Sequence, residues 1–205
     1  MGRDHPFIAA LYGPVMEPAE RGWLGRRRAA VVARARGDVL EIGGGTGANL
    51  SLYGPAVRRL VVTEPDAAMR RRLTERAAGL PRAVAVGAAR AEALPFPDAS
   101  FDTLVATLVL CSVDDLGTAL GEARRVLRPG GRLLFFEHVR GTGWRGRLQD
   151  AAQPVWSAMV AGCRPNRDSV AGIAAAGFRL AELEVYKPNP TLPILVPMAE
   201  GIAVR

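Results

Sequence analysis

Apolar residues along the chain fall into short continuous runs separated by stretches of helical spacing. Residues 38–43 (DVLEIG), 59–65 (RLVVTEP), 83–87 (AVAVG), 101–110 (FDTLVATLVL), 131–139 (GRLLFFEHV) and 178–186 (FRLAELEVY) read as six strands. Such near-continuous apolar strands belong to a parallel sheet that is covered on both faces. The intervening segments 20–36, 66–78, 115–128, 144–160 and 167–176 read as helices. Within the third, Leu116, Leu120, Ala123, Val126 and Leu127 recur at helical spacing and stop at Pro129-Gly130-Gly131. Asp66 stands where a helix N-cap is wanted. The tail is proline-dense, but 194–205 (ILVPMAEGIAVR) can supply a seventh strand, antiparallel and at or near an edge, where Pro197 is tolerated. The alternation predicts an α/β fold with helices on both faces of one sheet. Residues 1–36 read as a helical cap over the sheet's mouth, and 37–205 as a single structural unit.

The first strand runs into Gly43-Gly44-Gly45-Thr46-Gly47-Ala48-Asn49 before a helical segment. Glycines there let the backbone turn sharply and approach a ligand, and the helix start that follows favours anionic or polar groups. Gly43, Gly45 and Gly47 spell G-x-G-x-G, while Gly43, Gly45 and Ala48 also satisfy the looser dinucleotide fingerprint. The loop alone therefore fits either S-adenosylmethionine or NAD(P). Glu64, closing the second strand, can accept from ribose hydroxyls in both cases.

Composition narrows the picture in three places. The net charge is +7, but 26 of the 27 basic residues are arginine and they are dispersed, a bias of a GC-rich coding sequence rather than of a phosphate track. The runs Arg26-Arg27-Arg28 and Arg70-Arg71-Arg72 are expected to form solvated helix faces or to pair with acids. No specific nucleic-acid partner is expected. No apolar run approaches a membrane span and no signal peptide is legible, so a cytoplasmic, soluble protein is expected. Cys111, Cys163, His5 and His138 include no close pair in sequence, so no metal site is expected, and Cys111 reads as a small core residue.

Three features separate the ligand classes. Glu41 precedes the first glycine by two residues, where dinucleotide sites are normally apolar. AEALPFPDASFD (91–102) forms a short loop before strand four, and ARRVLRPGGRLLFFE (123–137) joins a helix to strand five. Together, over residues 37–138, they resemble the class I S-adenosylmethionine-dependent methyltransferases. The resemblance implies a Rossmann-like, seven-stranded, mostly parallel sheet with its last strand antiparallel. It implies that Glu41, Gly43, Gly45 and Gly47 hold the methionine and ribose parts of S-adenosylmethionine, and that Glu64 binds the ribose. Pro65, Asp66 and Met69 would flank the adenine. Arg90 stands where many relatives carry an acid for the adenine amino group; since arginine cannot accept, Glu92 or the Ala91 backbone takes that place.

A narrower resemblance continues through TLVLCSV (107–113), FFEHV (135–139), Trp144, Gln149 or Gln153, PVW (154–156), AGC (161–163) and Arg167. It is to the subfamily that includes the animal alkyl thiol methyltransferases. Many of those read Gly-Cys-x-Leu-Thr-Arg where this chain has Gly162-Cys163-Arg164-Pro165-Asn166-Arg167. The resemblance implies a small apolar acceptor: a thiol first, a hydroxyl or quinone carbon otherwise. His138, at the carboxyl end of strand five, is the expected general base, because imidazole suits proton transfer near neutral pH. Trp144, Trp156 and Phe7 are expected around the acceptor, with His5 and Tyr12 in a lid. A dinucleotide-dependent oxidoreductase and a non-catalytic cofactor-binding protein are the competing readings.

Overall fold

The computed structural model describes residues 21–160, 162–186 and 197–205. Seven strands form one sheet: β1 (Gly37–Ile42), β2 (Val57–Thr63), β3 (Val84–Gly87), β4 (Phe101–Thr107), β5 (Leu127–His138), β6 (Arg179–Tyr186) and β7 (Met198–Val204). Their order is β3-β2-β1-β4-β5-β7-β6. The first five strands are mutually parallel, and β7 inserts antiparallel between β5 and β6. The chain runs outward from β1 to β3, then returns to β4 on the other side of β1. The carboxyl ends of β1 and β4 thus flank the switch point at which open α/β sheets bind ligands.

Five helices cover the sheet: α1 (Trp23–Val32), α2 (Ala67–Ala78), α3 (Leu116–Val126), α4 (Gly143–Met159) and α5 (Ser169–Ala175). The strand side chains alternate between two buried cores. Leu104, Ala106, Leu133 and Phe135 pack with Ala119, Leu120, Ala123 and Ile173 of α3 and α5. Val105, Leu134 and Phe136 pack on the opposite face with Leu24, Val31 and Val32 of α1 and with Leu73 and Ala77 of α2. Both faces of β4 and β5 are therefore apolar, which is why these strands show no polar alternation in the sequence. Asp66, Asp115 and Asp168 cap α2, α3 and α5 by accepting from Met69, Thr118 and Ala171 N–H groups.

The strands and longer helices expected from the sequence are present among the described residues, with two boundary corrections, but the helix expected to leave the glycine loop is not: residues 45–49 form turns, and only a 3-10 turn at Leu50–Leu52 precedes β2. Strand four was expected to run to Leu110, but β4 ends at Thr107 and Leu108 adopts φ 58°. A buried carboxylate on β5 bends the chain there, as described below. The helix expected to reach residue 128 ends at Val126, and Leu127 and Arg128 already belong to β5. Pro129 clashes with a helical Arg128 and drives it extended. Of the expected N-terminal cap, only the part from residue 21 is described, and α1 there lies on a sheet face. His5, Phe7 and Tyr12 lie outside the described residues, as does 187–196 of the tail. Among the described residues, no helix is long and apolar enough to cross a membrane.

The inserted strand β7 comes very close to its edge neighbour at Gly201, where a Cβ would collide with the Glu182 carbonyl and lie 2.9 Å from the Phe135 ring. Gly201→Ala should lower unfolding stability by about 1–3 kcal/mol, the usual range for forced overpacking. The readout is the urea midpoint, and an unchanged midpoint would contradict this packing.

Candidate functional site

At the end of β1 the chain turns through Gly43, Gly45 and Gly47, with φ of 62°, 55° and 87°. These values lie in the left-handed region, which side-chain-bearing residues rarely adopt. The three glycines do different work. A Cβ on Gly43 would strike the Val109 side chain, so this glycine lets the loop press against the segment after β4. A Cβ on Gly47 would lie 2.9 Å from Leu50. A Cβ on Gly45 would meet no atom of the described residues within 4 Å, so this bare backbone forms a cradle that a ligand can approach closely.

Beneath the loop lies a buried polar network. Glu41 Oε1 accepts from Asn49 Nδ2 at 2.8 Å, and its Oε2 accepts from the Tyr53 hydroxyl at 2.7 Å. Arg28 Nη1, from α1, donates to Asn49 Oδ1 at 3.1 Å and to Thr107 Oγ1 at 2.9 Å. Arg28 is only 5% exposed, so it is not part of the solvated face expected for its run. Burial pushes the Glu41 carboxyl above its ordinary range, against the pull of Tyr53 and Asn49. Each carboxylate oxygen keeps capacity for a second donor. The network ties β1, the glycine loop, α1 and the end of β4 into one unit.

Glu64 follows β2. Its Oε2 accepts from Gly45 N–H at 2.8 Å and its Oε1 from Asp66 N–H at 2.9 Å. Burial raises its pKa, while the two backbone donors lower it. The carboxylate is thereby fixed against Gly45, whose outer side is clear of the described residues. This is a donor and acceptor set that fits a ribose: a rigid carboxylate beside a bare backbone turn. Pro65 is exposed and Met69 half-buried on the same rim. Arg70 Nη1 donates to the Glu64 carbonyl at 2.7 Å, so this arginine also has a structural task.

Ala91 is buried and Glu92 half-buried at the next strand end. Glu92 Oε1 accepts from Asp114 N–H at 2.8 Å, and its Oε2 lies 3.5 Å from Arg90 Nε. Arg90 also pairs with Asp114 at 2.5 Å. The arginine in the usual acid position thus joins a small ion cluster that fastens the loop before α3.

At the carboxyl end of β5, Glu137 is fully buried. Its Oε1 accepts from Val109 and Leu110 N–H at 2.8 and 2.9 Å, and its Oε2 from Cys111 N–H at 3.2 Å. Burial pushes its carboxyl up to about 7 against those three donors. Arg167 Nη1 donates to the Leu110 and Val113 carbonyls, both at 2.7 Å. Gln149, also buried, accepts from Gly141 N–H at 2.6 Å and donates to the Val139 and Pro165 carbonyls. Of the two glutamines considered from the sequence, Gln149 is the one at the site's frame.

These contacts bring together three side chains that are far apart in sequence. Cys111 and Cys163 Sγ lie 3.6 Å apart, and His138 Nδ1 lies 3.8 Å from each. Both cysteines are buried and reduced, and His138 is half-buried. The paired sulfurs hold one negative charge more readily than two. Cys111 and then His138 bring the Cys163 thiol down, while Cys163 and burial push Cys111 up. Sequence separation concealed this cluster, and the EH pair at 137–138 was its only local signal. Trp156 Nε1 is buried beside this cluster, whereas Trp144 is 60% exposed with Arg145 stacked on it.

Two outcomes follow from this geometry. Glu137→Ala leaves three backbone donors without their acceptor and should destabilise the fold by about 3 kcal/mol or more. Hydrogen exchange at Val109, Leu110 and Cys111 should accelerate more than at neighbouring β4 amides; uniform protection would contradict the bracket. Glu64→Ala should weaken S-adenosylhomocysteine binding by about 1–3 kcal/mol in calorimetry, the range for a hydrogen bond to a charged acceptor. Equal binding, or preferential binding of NADH by the parent protein, would contradict the ribose assignment.

Residues 40–135 match a methyltransferase-domain family. The chain is 32% identical to the human thiol S-methyltransferase TMT1B over 98% of its own length and 85% of that protein. It is 33% identical to human TMT1A over 82% of this chain and 70% of that one. It is also 41% identical to the ubiquinone/menaquinone biosynthesis C-methyltransferase UbiE of Hahella chejuensis, over 53% of this chain and 46% of that protein. Among solved structures, the fold matches geranyl diphosphate C-methyltransferase of Streptomyces coelicolor, a complex that contains S-adenosyl-L-homocysteine. The TM-score is 0.68 at 16% identity, covering 89% of this chain and 76% of that one. With the glycine loop and Glu64 at the β1/β4 switch point, these matches show that the chain belongs to the class I S-adenosylmethionine-dependent methyltransferases.

Proposed function

We propose that this methyltransferase acts on a small apolar thiol, with His138 promoting loss of the acceptor's proton. The observation that carries the reading is the placement of His138. It stands at the carboxyl end of β5, half-buried, among two sulfurs and next to the loop that Gly43 contacts. The extent of likeness supports the acceptor class. The likeness to human TMT1B covers 98% of the chain, whereas the likeness to the quinone C-methyltransferase covers 53%.

S-adenosylmethionine supplies a methyl group already activated on a sulfonium centre. The protein's part is to position, desolvate and deprotonate. Gly45 and Glu64 hold the cofactor's ribose side. Glu41, through Asn49 and Tyr53, keeps the glycine loop rigid. Glu137 and Arg167 fix the loop that carries Cys111. A free thiol, with a pKa of about 8.5, is mostly protonated at neutral pH, so assistance at His138 matters for the chemical step. In-line transfer gains rate when the two reactants are held close and aligned.

The test is methyl transfer to a panel of thiols, phenols and quinones, read as S-adenosylhomocysteine formed. Alkyl thiols should turn over. His138→Gln should lower turnover by about a hundredfold at pH 7 with little change in cofactor affinity. The deficit should shrink at high pH, where the thiol ionises unaided. Turnover of a quinone or phenol but of no thiol would refute the acceptor class. An unchanged rate for His138→Gln at every pH would remove His138 from the mechanism.

A further inference from the structure

We infer that Cys111, His138 and Cys163 form a binding site for one zinc ion, with a fourth coordination position open to the acceptor thiol. Their ligand atoms already form a triangle with edges of 3.6, 3.8 and 3.8 Å. A tetrahedral zinc ion, with Zn–S of about 2.3 Å and Zn–N of about 2.0–2.1 Å, places its ligands at about 3.8 Å for S···S and about 3.6 Å for S···N. The triangle is therefore nearly a face of that tetrahedron before any ion arrives. The donor types agree. Two sulfurs and one imidazole nitrogen suit zinc, whereas magnesium and calcium take oxygen.

The three side chains come from separate segments, and backbone hydrogen bonds fasten those segments to one another. Cys111 is held through its N–H by Glu137 and through its carbonyl by Arg164 N–H at 2.8 Å. His138 ends β5, where it pairs with Met198 of β7. Cys163 follows α4, with its own N–H bonded to the Val160 carbonyl at 2.8 Å. Cysteines serving only as small apolar residues would rest among aliphatic carbons. These two converge on one imidazole nitrogen instead. Trp156 Nε1 is buried, has no hydrogen-bond partner among the described residues, and lies beside Cys163. An outer N–H donor facing a ligand is the support that metal sites commonly have. A zinc ion with two thiolates and a neutral imidazole carries no net charge, which suits a buried position.

Three protein ligands leave one position free, the arrangement of catalytic rather than structural zinc. What fills it rests on the thiol reading above. An entering thiol would take the place of a bound hydroxide and transfer its proton to it, so that the hydroxide departs as water and the thiolate stays on the ion. The thiolate's electron pair then forms the bond to the methyl carbon, and the pair of the broken methyl–sulfonium bond stays on the departing sulfur. The products are a thioether and S-adenosylhomocysteine. The thioether is a weak ligand and dissociates. On this account His138 promotes ionisation as a metal ligand.

The full chain, expressed with zinc and purified under reduction, should carry about one zinc ion per molecule by elemental analysis. Cys163→Ser and His138→Ala should each reduce that to below about a tenth. Because a ligand variant can also perturb folding, cobalt(II) added to the zinc-stripped parent protein is the second probe. Thiolate charge-transfer absorption and the strong visible bands of tetrahedral cobalt should appear. A metal-free chain that shows no thiolate absorption with cobalt overturns the site, as does a Cys111–Cys163 disulfide persisting under reduction. Ethanethiol should shift the cobalt bands, and bands that ignore it overturn the open position. Zinc content does not depend on acceptor identity, so failure of the thiol reading in the turnover panel stays distinguishable from failure of this site.

Discussion

The loop that follows β4 depends on one carboxylate. Glu137 gathers three successive backbone N–H groups and so ends β4, forces the left-handed Leu108 and turns the next residues back over the sheet. A non-glycine residue in that region costs about 1–3 kcal/mol, and the three hydrogen bonds offset it. Without the bracket, the apolar run through Leu110 would continue as strand, and Cys111 would stand several ångströms along β4. With it, Cys111 faces His138, the residue after Glu137 itself. One side chain of β5 therefore builds the loop, and its neighbour meets the two sulfurs brought near it.

The glycine loop depends on carboxylates in the same way. Glu41 and Glu64 both accept from groups of the loop and strand ends they stabilise. Burial opposes their ionisation, and the donors aimed at them support it. The loop is thus held in shape by the protein, which lowers the ordering cost of ligand binding. Gly43 meets Val109 where the two loops join. That contact places the cofactor cradle next to the Glu137-built loop.

The fold was legible because the central strands are near-continuous apolar runs and the helices carry clear punctuation, an N-cap at Asp66 and stops at Gly37 and Pro129. The glycine loop was legible for the same local reason: its chemistry is written in consecutive residues. Arg28 was not, because an arginine within an Arg-rich helix gives no local sign that it turns inward to Asn49 and Thr107. Nor was the cluster of Cys111, His138 and Cys163. Its members are separated by 27 and 25 residues, and only the bend after β4 and the loop after α4 bring them together. The end of β4 was misplaced because a carboxylate on the neighbouring strand, rather than any breaker in the run, terminates it.

The most direct test is a crystal structure with S-adenosylhomocysteine bound. The account predicts the ribose hydroxyls on Glu64 and the loop at 108–113 still bracketed by Glu137. The ligand's sulfur should face the Cys111–His138–Cys163 side of the crevice. A sulfur directed away from that cluster, or a 108–113 loop released from Glu137 on binding, would contradict it.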